Sequence, residues 1–185
     1  IAESRAEIKK CILLCDFYEK NAARFLSDHI IDTEAHESFI SYDPLGVILA
    51  VMPWNYPFWQ VFRFAVPTLT AGNTGLLKHA SNVTGCALAI QECFEQAGYP
   101  IGCFQTLLSN HEDIETLIKN DKVKAISLTG SEKAGISIAG TASTVFEVDS
   151  GYNVAIGSTG LDDIRFHNAV GASHVIIKEA GNVGI

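Results

Sequence analysis

Residues 44–81 read PLGVILAVMPWNYPFWQVFRFAVPTLTAGNTGLLKHAS and contain two apolar runs that each end in polar residues. An apolar, β-rich run from Val47 to Met52 ends abruptly in the segment PWNYP, and a second run, from Thr74 to Leu77, ends in Lys78. Each run predicts a strand that delivers a polar side chain at its carboxyl end, the edge where ligands bind in open parallel sheets. There Asn55 can donate a hydrogen bond to a developing oxyanion, and Lys78 can hold a nucleotide by its charge.

Composition places the chain among globular proteins and narrows its partners. Its 185 residues are 48% hydrophobic, which is enough for one domain with a sizeable core. A net charge of −8, from 13 Lys+Arg against 21 Asp+Glu, argues against nucleic acids and anionic membrane surfaces as partners. No apolar run reaches the roughly 18 residues that a membrane span requires, and the charged N-terminus does not resemble a signal peptide.

The five cysteines indicate a reducing, cytoplasmic setting. They are odd in number and form no CxxC pair, so we expect buried free thiols and no metal site. Cys11 and Cys15 lie four residues apart on one predicted helix face, but no His or second Cys pair completes a set of metal ligands.

The first 43 residues predict a helix and the start of a β-arm. Helical spacing of apolar residues extends over Glu3–Leu26. Two strands, Ser38–Tyr42 and Val47–Val51, flank good turn chemistry at Asp43–Gly46, so this pair predicts a hairpin or an arm.

From Pro57 onward the pattern alternates between helix and strand, which predicts an α/β fold with a parallel sheet and helices on both faces. The predicted elements are a helix to Leu69, a strand Thr74–Lys78, a helix Val83–Ala97, a strand Phe104–Leu108, a helix Glu112–Lys119, a strand Lys124–Leu128 and a helix from Glu132. Beyond Gly140 the pattern indicates strands at Thr144–Val148 and Val154–Ile156, a helix over Leu161–Ala172 and an apolar run at Val175–Ile177.

The segment KAISLTGS, residues 124–131, leads from a strand into a helix start. The backbone N–H groups of Gly130 and Ser131 can bind an anion such as a diphosphate, helped by the helix dipole. An ordinary helix N-cap by Thr129 or Ser131 explains the same residues. Neither a GxGxxG turn nor a complete phosphate loop is present.

Other polar residues also have two explanations at this point. Lys78 and His79 can be ligand contacts or solvated residues of a strand–helix loop, and Asn55 can be a simple turn former. Trp54, from the residues alone, is explained best as a core or interface aromatic. Glu147, at a predicted strand end, can be a general base or an exposed acid.

The order and spacing of these motifs resolve the ambiguity. MPWNYPFWQVFR, then LLKHASNV, then TGSEKAG resemble the aldehyde dehydrogenase superfamily, and its succinate-semialdehyde branch in particular, over roughly Pro44 to Gly135. The resemblance implies a Rossmann-like domain that binds NAD or NADP. It also implies a covalent mechanism in which a Cys thiolate attacks an aldehyde, hydride passes to the nicotinamide, and a Glu activates water.

The resemblance also assigns roles to single residues. Asn55 corresponds to the oxyanion donor, and Glu147 falls, with a poor local match, at the general base. Lys78 corresponds to the lysine that holds the adenosine ribose. The remaining matches to the cofactor site, including its backbone and diphosphate contacts, are Met52, Trp54, His79, Ala80, Gly130 and Ser131.

Ser81 and Arg63 bear on specificity. NAD-preferring relatives often have a Glu at the position of Ser81, and its carboxylate would repel a 2′-phosphate. We therefore expect NADP⁺ to bind at least as well as NAD⁺. Arg63 follows the Asn55 segment on the predicted helix, where it can face the substrate tunnel or can be an ordinary surface residue.

The chain departs from the family pattern near its end. Glu147-Val148-Asp149-Ser150 replaces the family's Glu-Leu-Gly-Gly, Gly184 falls near the place of the nucleophile, and no Cys follows Cys103. We expect residues 1–43 to form the N-terminal helix and arm and 44–185 an incomplete NAD(P)-binding domain, without the catalytic domain and without aldehyde oxidation.

Two alternatives stay open: a truncated or degenerate paralogue serving as a nucleotide-binding or interaction module, and an incomplete sequence. Family members form homo-oligomers through an arm and sheet edges, and the resemblance implies a small aldehyde as substrate.

Overall fold

The computed structural model describes residues 1–131 and, beyond them, the backbone of strands at 145–148, 154–157, 164–169 and 172–177. The chain begins with a 25-residue helix, α1 (Ala2–Leu26), as the sequence predicts. Two short strands, β1 (His29–Ile30) and β2 (Phe39–Ile40), then pair in antiparallel orientation.

A hairpin precedes the main sheet, as predicted, but the second predicted strand of the hairpin is not part of it. Phe39–Ile40 pairs with His29–Ile30 and not with β3 (Val47–Met52), which joins the main sheet. The physical reason is burial: every residue of β3 is buried or half-buried, whereas Phe39 and Ile40 are exposed. A strand that is apolar on both faces belongs inside a parallel sheet covered by helices.

The following elements alternate as predicted, with ends within two residues of the expected positions. They are α2 (Trp59–Thr70), β4 (Thr74–His79), α3 (Thr84–Gln96), β5 (Phe104–Thr106), α4 (His111–Ile118) and β6 (Val123–Leu128). A short 3-10 turn at Ser81–Val83 precedes α3. The helix predicted from Glu132 lies outside the described residues.

The parallel part of the sheet has the order β5-β4-β3-β6 and continues to β7 (Val145–Val148). β3 lies centrally, and Val51 pairs with Lys78 on one side and with Leu128 on the other. The carboxyl ends of three strands are therefore aligned at one edge of the sheet, which confirms the parallel α/β prediction.

Beyond β7 the sheet becomes antiparallel, through β8 (Val154–Gly157), β9 (Ile164–Ala169) and β10 (Ala172–Ile177). The strands predicted at Thr144–Val148 and Val154–Ile156 are confirmed as β7 and β8. The helix predicted over Leu161–Ala172 is wrong, because β9 lies within this range. Apolar Ile164 and Phe166 alternate with polar neighbours at a period of two, which suits a strand. The ladder between β9 and β10 supplies the backbone pairing that this pattern needs.

Helices cover both faces of the sheet, as predicted. Alternation along β3 sends Ala50 and Met52 to one face and Leu49 to the other. The larger core, on the first face, joins β3, β4 and β5 to α2 and α3 through Val61, Phe64, Ala65, Leu69, Leu77, Ala87, Ile90, Phe94 and Phe104. The smaller core packs α4 on the second face through Ile114, Ile118, Ile126 and Leu128. Both cores fix the strand ends that carry the candidate site.

Candidate active site at the carboxyl edge of the parallel strands

The segments that follow β3, β4 and β6 enclose one cleft of about 1170 Å³. This volume is slightly larger than that of most small-molecule sites, roughly 300–1,000 Å³, so the cleft can hold a ligand of dinucleotide length. Most of the residues predicted to bind a cofactor line it: Met52, Trp54, Asn55, Lys78, Ala80, Ser81, Gly130 and Ser131. The sheet register thus brings together residues that are up to 79 positions apart, from Met52 to Ser131.

The segment after β3 presents Trp54 and Asn55 to the cleft, and both side chains are exposed. The Asn55 side-chain oxygen Oδ1 accepts a hydrogen bond from the Tyr56 N–H at 3.1 Å. The amide nitrogen Nδ2 is therefore the end that can donate into the cleft. Met52 has a buried side chain in the larger core, so it offers its main chain to the cleft.

The segment after β4 provides a cation and a hydroxyl. Lys78 is half-buried on the cleft side of the strand, and within residues 1–131 the structure shows no ion pair or hydrogen bond of its side-chain ammonium. Ser81 is exposed on the 3-10 turn, and its carbonyl accepts from the Thr84 hydroxyl at 3.0 Å. The Ala80 N–H extends the β3–β4 ladder by donating to the Met52 carbonyl at 3.0 Å.

His79 is the predicted cofactor residue that does not line the cleft. Neighbours on a strand point to opposite faces, so with Lys78 at the cleft the His79 ring is turned into the protein, where it is 6% exposed. Its Nε2 lies 2.9 Å from the Pro57 carbonyl, and its Nδ1 lies 3.0 Å from the Ala80 N–H. The buried ring contacts the backbone around the cleft, and a direct contact of His79 with a cofactor stays a prediction.

The segment after β6 closes the third side. Thr129 is buried, and its N–H donates to the Val51 carbonyl at 2.9 Å. Arg63 of α2 also lines the cleft, and its Nη2 lies 3.5 Å from the Thr129 hydroxyl. Gly130 and Ser131 are exposed at the cleft, and the helix that either would cap lies outside the described residues.

Glu147 and Gly184 are the remaining residues with a predicted place in the catalytic site. β7 pairs with β6 in parallel, and the backbone of Glu147 is in register with Leu128 at the same edge of the sheet. Gly184 lies outside the described residues, so its alignment with a nucleophile stays a prediction.

Sequence reasoning missed the contribution of α1 to the cleft. Glu3, Glu7 and Lys10 line one wall. One carboxylate oxygen of Glu7 accepts from the N–H groups of Phe58 and Trp59, both at 2.8 Å, and Lys10 Nζ lies 4.0 Å from the Trp59 ring centroid. No local sequence signal connects residues about 50 positions apart, so only the packed structure reveals these contacts.

The buried thiols on and near α1 are unreactive. Burial, with a smaller contribution from the Glu7 carboxylate, raises the pKa of Cys11 to about 11, and burial also raises the pKa of Cys15 and of Cys86. These thiols stay protonated near neutral pH and are poor nucleophiles. In the part of the chain that the structure describes, no three acidic, His or Cys side chains gather as metal ligands, and no helix could cross a bilayer.

Known proteins share both the sequence and the fold. The profile described as "Aldehyde dehydrogenase family" matches residues 1–150. A protein of Synechocystis sp. named "Probable succinate-semialdehyde dehydrogenase [NADP(+)]" is 58% identical over 142 residues, covering 77% of this chain and 31% of that protein. A Mycobacterium bovis "Succinate-semialdehyde dehydrogenase [NADP(+)] 1" is 48% identical over 145 residues, covering 77% of this chain and 32% of its own length.

A solved structure gives the same result for the fold. The succinic semialdehyde dehydrogenase of Streptococcus pyogenes, in complex with NADP⁺ as the cofactor, superposes with a TM-score of 0.78 at 31% identity, over 81% of this chain and 34% of that one. This chain spans about a third of the length of the relatives it matches. The fold and family expectations are confirmed: the chain belongs to the aldehyde dehydrogenase family.

Proposed function

We propose that this chain supplies the NADP⁺-binding and oxyanion-binding parts of a dehydrogenase for succinate semialdehyde or a similar small aldehyde. The observation that carries the proposal is the single cleft that collects Asn55, Lys78, Ser81 and the backbone at Gly130–Ser131. The names of the relatives point the same way. The division into an N-terminal helix and arm, 1–43, and a cofactor domain, 44–185, is part of this proposal.

The residues present fit a phosphorylated dinucleotide. Lys78 is a cation for the ribose and its 2′-phosphate, and Ser81 puts a small hydroxyl where a carboxylate would repel that phosphate. The backbone N–H groups at Gly130 and Ser131 suit the diphosphate. NADP⁺ is therefore expected to bind at least as well as NAD⁺.

The chemistry divides among the cofactor and a few residues. Bound NADP⁺ supplies the hydride acceptor. The Nδ2–H of Asn55 would donate to the aldehyde oxygen as negative charge develops there, and Glu147 would activate water. The attacking thiolate is not among these groups, because none of the five cysteines lines the cleft and burial keeps the thiols of Cys11, Cys15 and Cys86 protonated. We expect the 185 residues alone to oxidise no aldehyde.

Arg63 is our candidate for the carboxylate of a semialdehyde substrate. It lines the same cleft as Asn55, and its guanidinium can bind a carboxylate through two parallel hydrogen bonds. With NADP⁺ bound, added succinate should shift the Arg63 side-chain N–H signals in nuclear magnetic resonance (NMR) spectra. Arg63→Gln should abolish the matching shifts at Thr129, and unchanged shifts in that variant would remove Arg63 from the site.

Calorimetric titration of the purified chain with NADP⁺ tests the proposal as a whole. We expect saturable binding to one site and, with succinate semialdehyde added, no production of NADPH. Aldehyde-dependent production of NADPH by this chain would contradict the statement that it lacks the attacking thiolate.

A chain that aggregates and binds no nucleotide would contradict the proposal and favour a degenerate paralogue. The family's homo-oligomers make an oligomeric full-length enzyme part of the proposal, and the five free thiols fit a cytoplasmic location.

A further inference from the structure

Two side chains from separate elements, α1 and β4, hold the Asn55 loop, defined as Pro53–Phe58. Glu7 reaches its far end from α1, where one carboxylate oxygen lies 2.8 Å from the backbone nitrogens of Phe58 and Trp59. His79 reaches it from β4, where Nε2 lies 2.9 Å from the Pro57 carbonyl oxygen. Neither side chain belongs to the loop or to the helix that follows.

The Glu7 contact caps α2 from another helix. The first N–H groups of an α-helix have no partner within the helix, and α2 has no side-chain cap of its own. A carboxylate at this position satisfies two such groups and also interacts favourably with the positive end of the helix dipole. Lys10, one turn further along α1, packs its ammonium over the Trp59 ring and fastens the same junction.

The His79 contact fixes the other side. A carbonyl oxygen only accepts hydrogen bonds, so the Nε2 that faces the Pro57 carbonyl carries a proton. The ring is buried, and its Nδ1 accepts from the Ala80 N–H. The imidazole therefore joins the end of β4 to the Asn55 loop.

We propose that Glu7 and His79 are positioning residues that set the direction of the Asn55 amide in the cleft. The role assigned to Asn55 rests on the proposed function. Asn55 is exposed, and among the described residues its side chain bonds only to the adjacent Tyr56 N–H. The orientation of Nδ2 thus follows the loop backbone, and the loop backbone is held by Glu7 and His79.

The first test measures hydrogen exchange at the backbone amides of Phe58 and Trp59 by NMR on the 185-residue chain. Glu7→Leu should speed exchange at both amides by about tenfold, because their acceptor is removed. Glu7→Gln keeps the length of the side chain and one acceptor oxygen but removes the charge, so exchange at both amides should be about threefold faster than in the wild type. Glu3→Leu is the matched control, since Glu3 lines the same wall without a hydrogen bond to either amide, and it should change nothing.

The second test asks whether the loop contacts reach Asn55 and the cofactor. Glu7→Leu and His79→Phe should each shift the Asn55 side-chain NH₂ signals and weaken NADP⁺ binding by about fivefold. His79→Gln restores a donor to the Pro57 carbonyl and should recover most of the affinity. Slow exchange at Leu77 and Ile90, in the core, identifies variants that remain folded. Glu7→Gln carries the test if Glu7→Leu fails that criterion.

The outcomes separate this inference from the proposed function. If the wild-type chain binds no NADP⁺, the proposed function fails, while the exchange rates and the Asn55 signals still decide the positioning role. Unchanged protection of Phe58 and Trp59 in both Glu7 variants would overturn the inference. So would faster exchange with Asn55 signals identical to wild type, because Glu7 would then be a helix cap and nothing more.

Discussion

The two sides of the cleft are built differently. The Asn55 loop is held by Glu7 and His79, which lie 51 and 22 positions away from their partners in the chain. The opposite side, at Ala80–Val83, is shaped largely by bonds within itself: Val83 N–H to the Ala80 carbonyl at 3.1 Å, and the Thr84 hydroxyl to the Ser81 carbonyl at 3.0 Å. The proposed oxyanion side thus depends on tertiary packing, whereas the proposed ribose side is largely organised by its own sequence.

The largest loss of stability is expected from a substitution in the core that lies beneath both sides of the cleft. Leu77 of β4 is fully buried in the larger core, which joins the sheet to α2 and α3. Leu77→Ala leaves a cavity there and should lower the free energy of unfolding by about 2–5 kcal/mol, measured by denaturant titration. Leu88→Ala, at a position on α3 that is 47% exposed, is the matched control and should change it by less than about 0.5 kcal/mol. Equal effects at the two positions would show that the core is wrongly assigned.

A change on the ribose side should affect the ligand and not the fold. Lys78→Met removes the cation from the cleft and keeps the length of the side chain, so NADP⁺ affinity should fall about tenfold. Calorimetry measures the affinity, and denaturant titration should show nearly unchanged stability. Lys122→Met, before the start of β6 and at the other end of the sheet, should leave binding unaltered. An equal loss in both variants would mean that only net charge matters.

The smallest predicted effect concerns the reactivity of thiols where α1 packs on the proposed oxyanion side of the cleft. Cys11 is 3% exposed and its pKa is raised from 9.0 to about 11, whereas Cys93 is exposed. A thiol reagent, followed by mass spectrometry, should modify Cys93 first and Cys11 last at pH 8. Because the raised pKa belongs to the folded state, its stabilising effect is complete below pH 9 and is lost as the pH rises toward 11. Cys11 labelling as fast as that of Cys93 would show that α1 is not seated on α2.

Sequence reasoning predicted the parts of the molecule that are encoded locally. The apolar runs of β3 and β4, each ending in a polar residue, predict the parallel sheet and place Asn55 and Lys78 at its carboxyl edge. The motif LLKHAS also predicts Ser81 as a cofactor residue, and Ser81 lines the cleft from the 3-10 turn.

What could not be predicted depends on distant contacts or on a choice between two weak patterns. Nothing around Glu7 indicates that its carboxylate ends at the start of α2, and a motif match alone cannot show that the His79 ring points away from the cleft. The segment Ile164–Ala169 is too short for its period to be decisive, and its pairing with β10 makes it a strand. The partner of Phe39–Ile40 could not be predicted from the adjacent turn either. These exposed residues pair with His29–Ile30 and not with the strand that follows the turn.

Cofactor preference tests the central claim, that the cleft binds NADP⁺ through Lys78 and Ser81, most directly. Calorimetric titration of the wild-type chain and of Ser81→Glu with NADP⁺ and with NAD⁺ gives four affinities. The wild type should bind NADP⁺ at least as well as NAD⁺. In Ser81→Glu, repulsion between the new carboxylate and the 2′-phosphate should weaken NADP⁺ binding by about tenfold or more while NAD⁺ binding is kept. A wild-type chain that clearly prefers NAD⁺, or a Ser81→Glu variant that binds NADP⁺ as tightly as wild type, would contradict the claim.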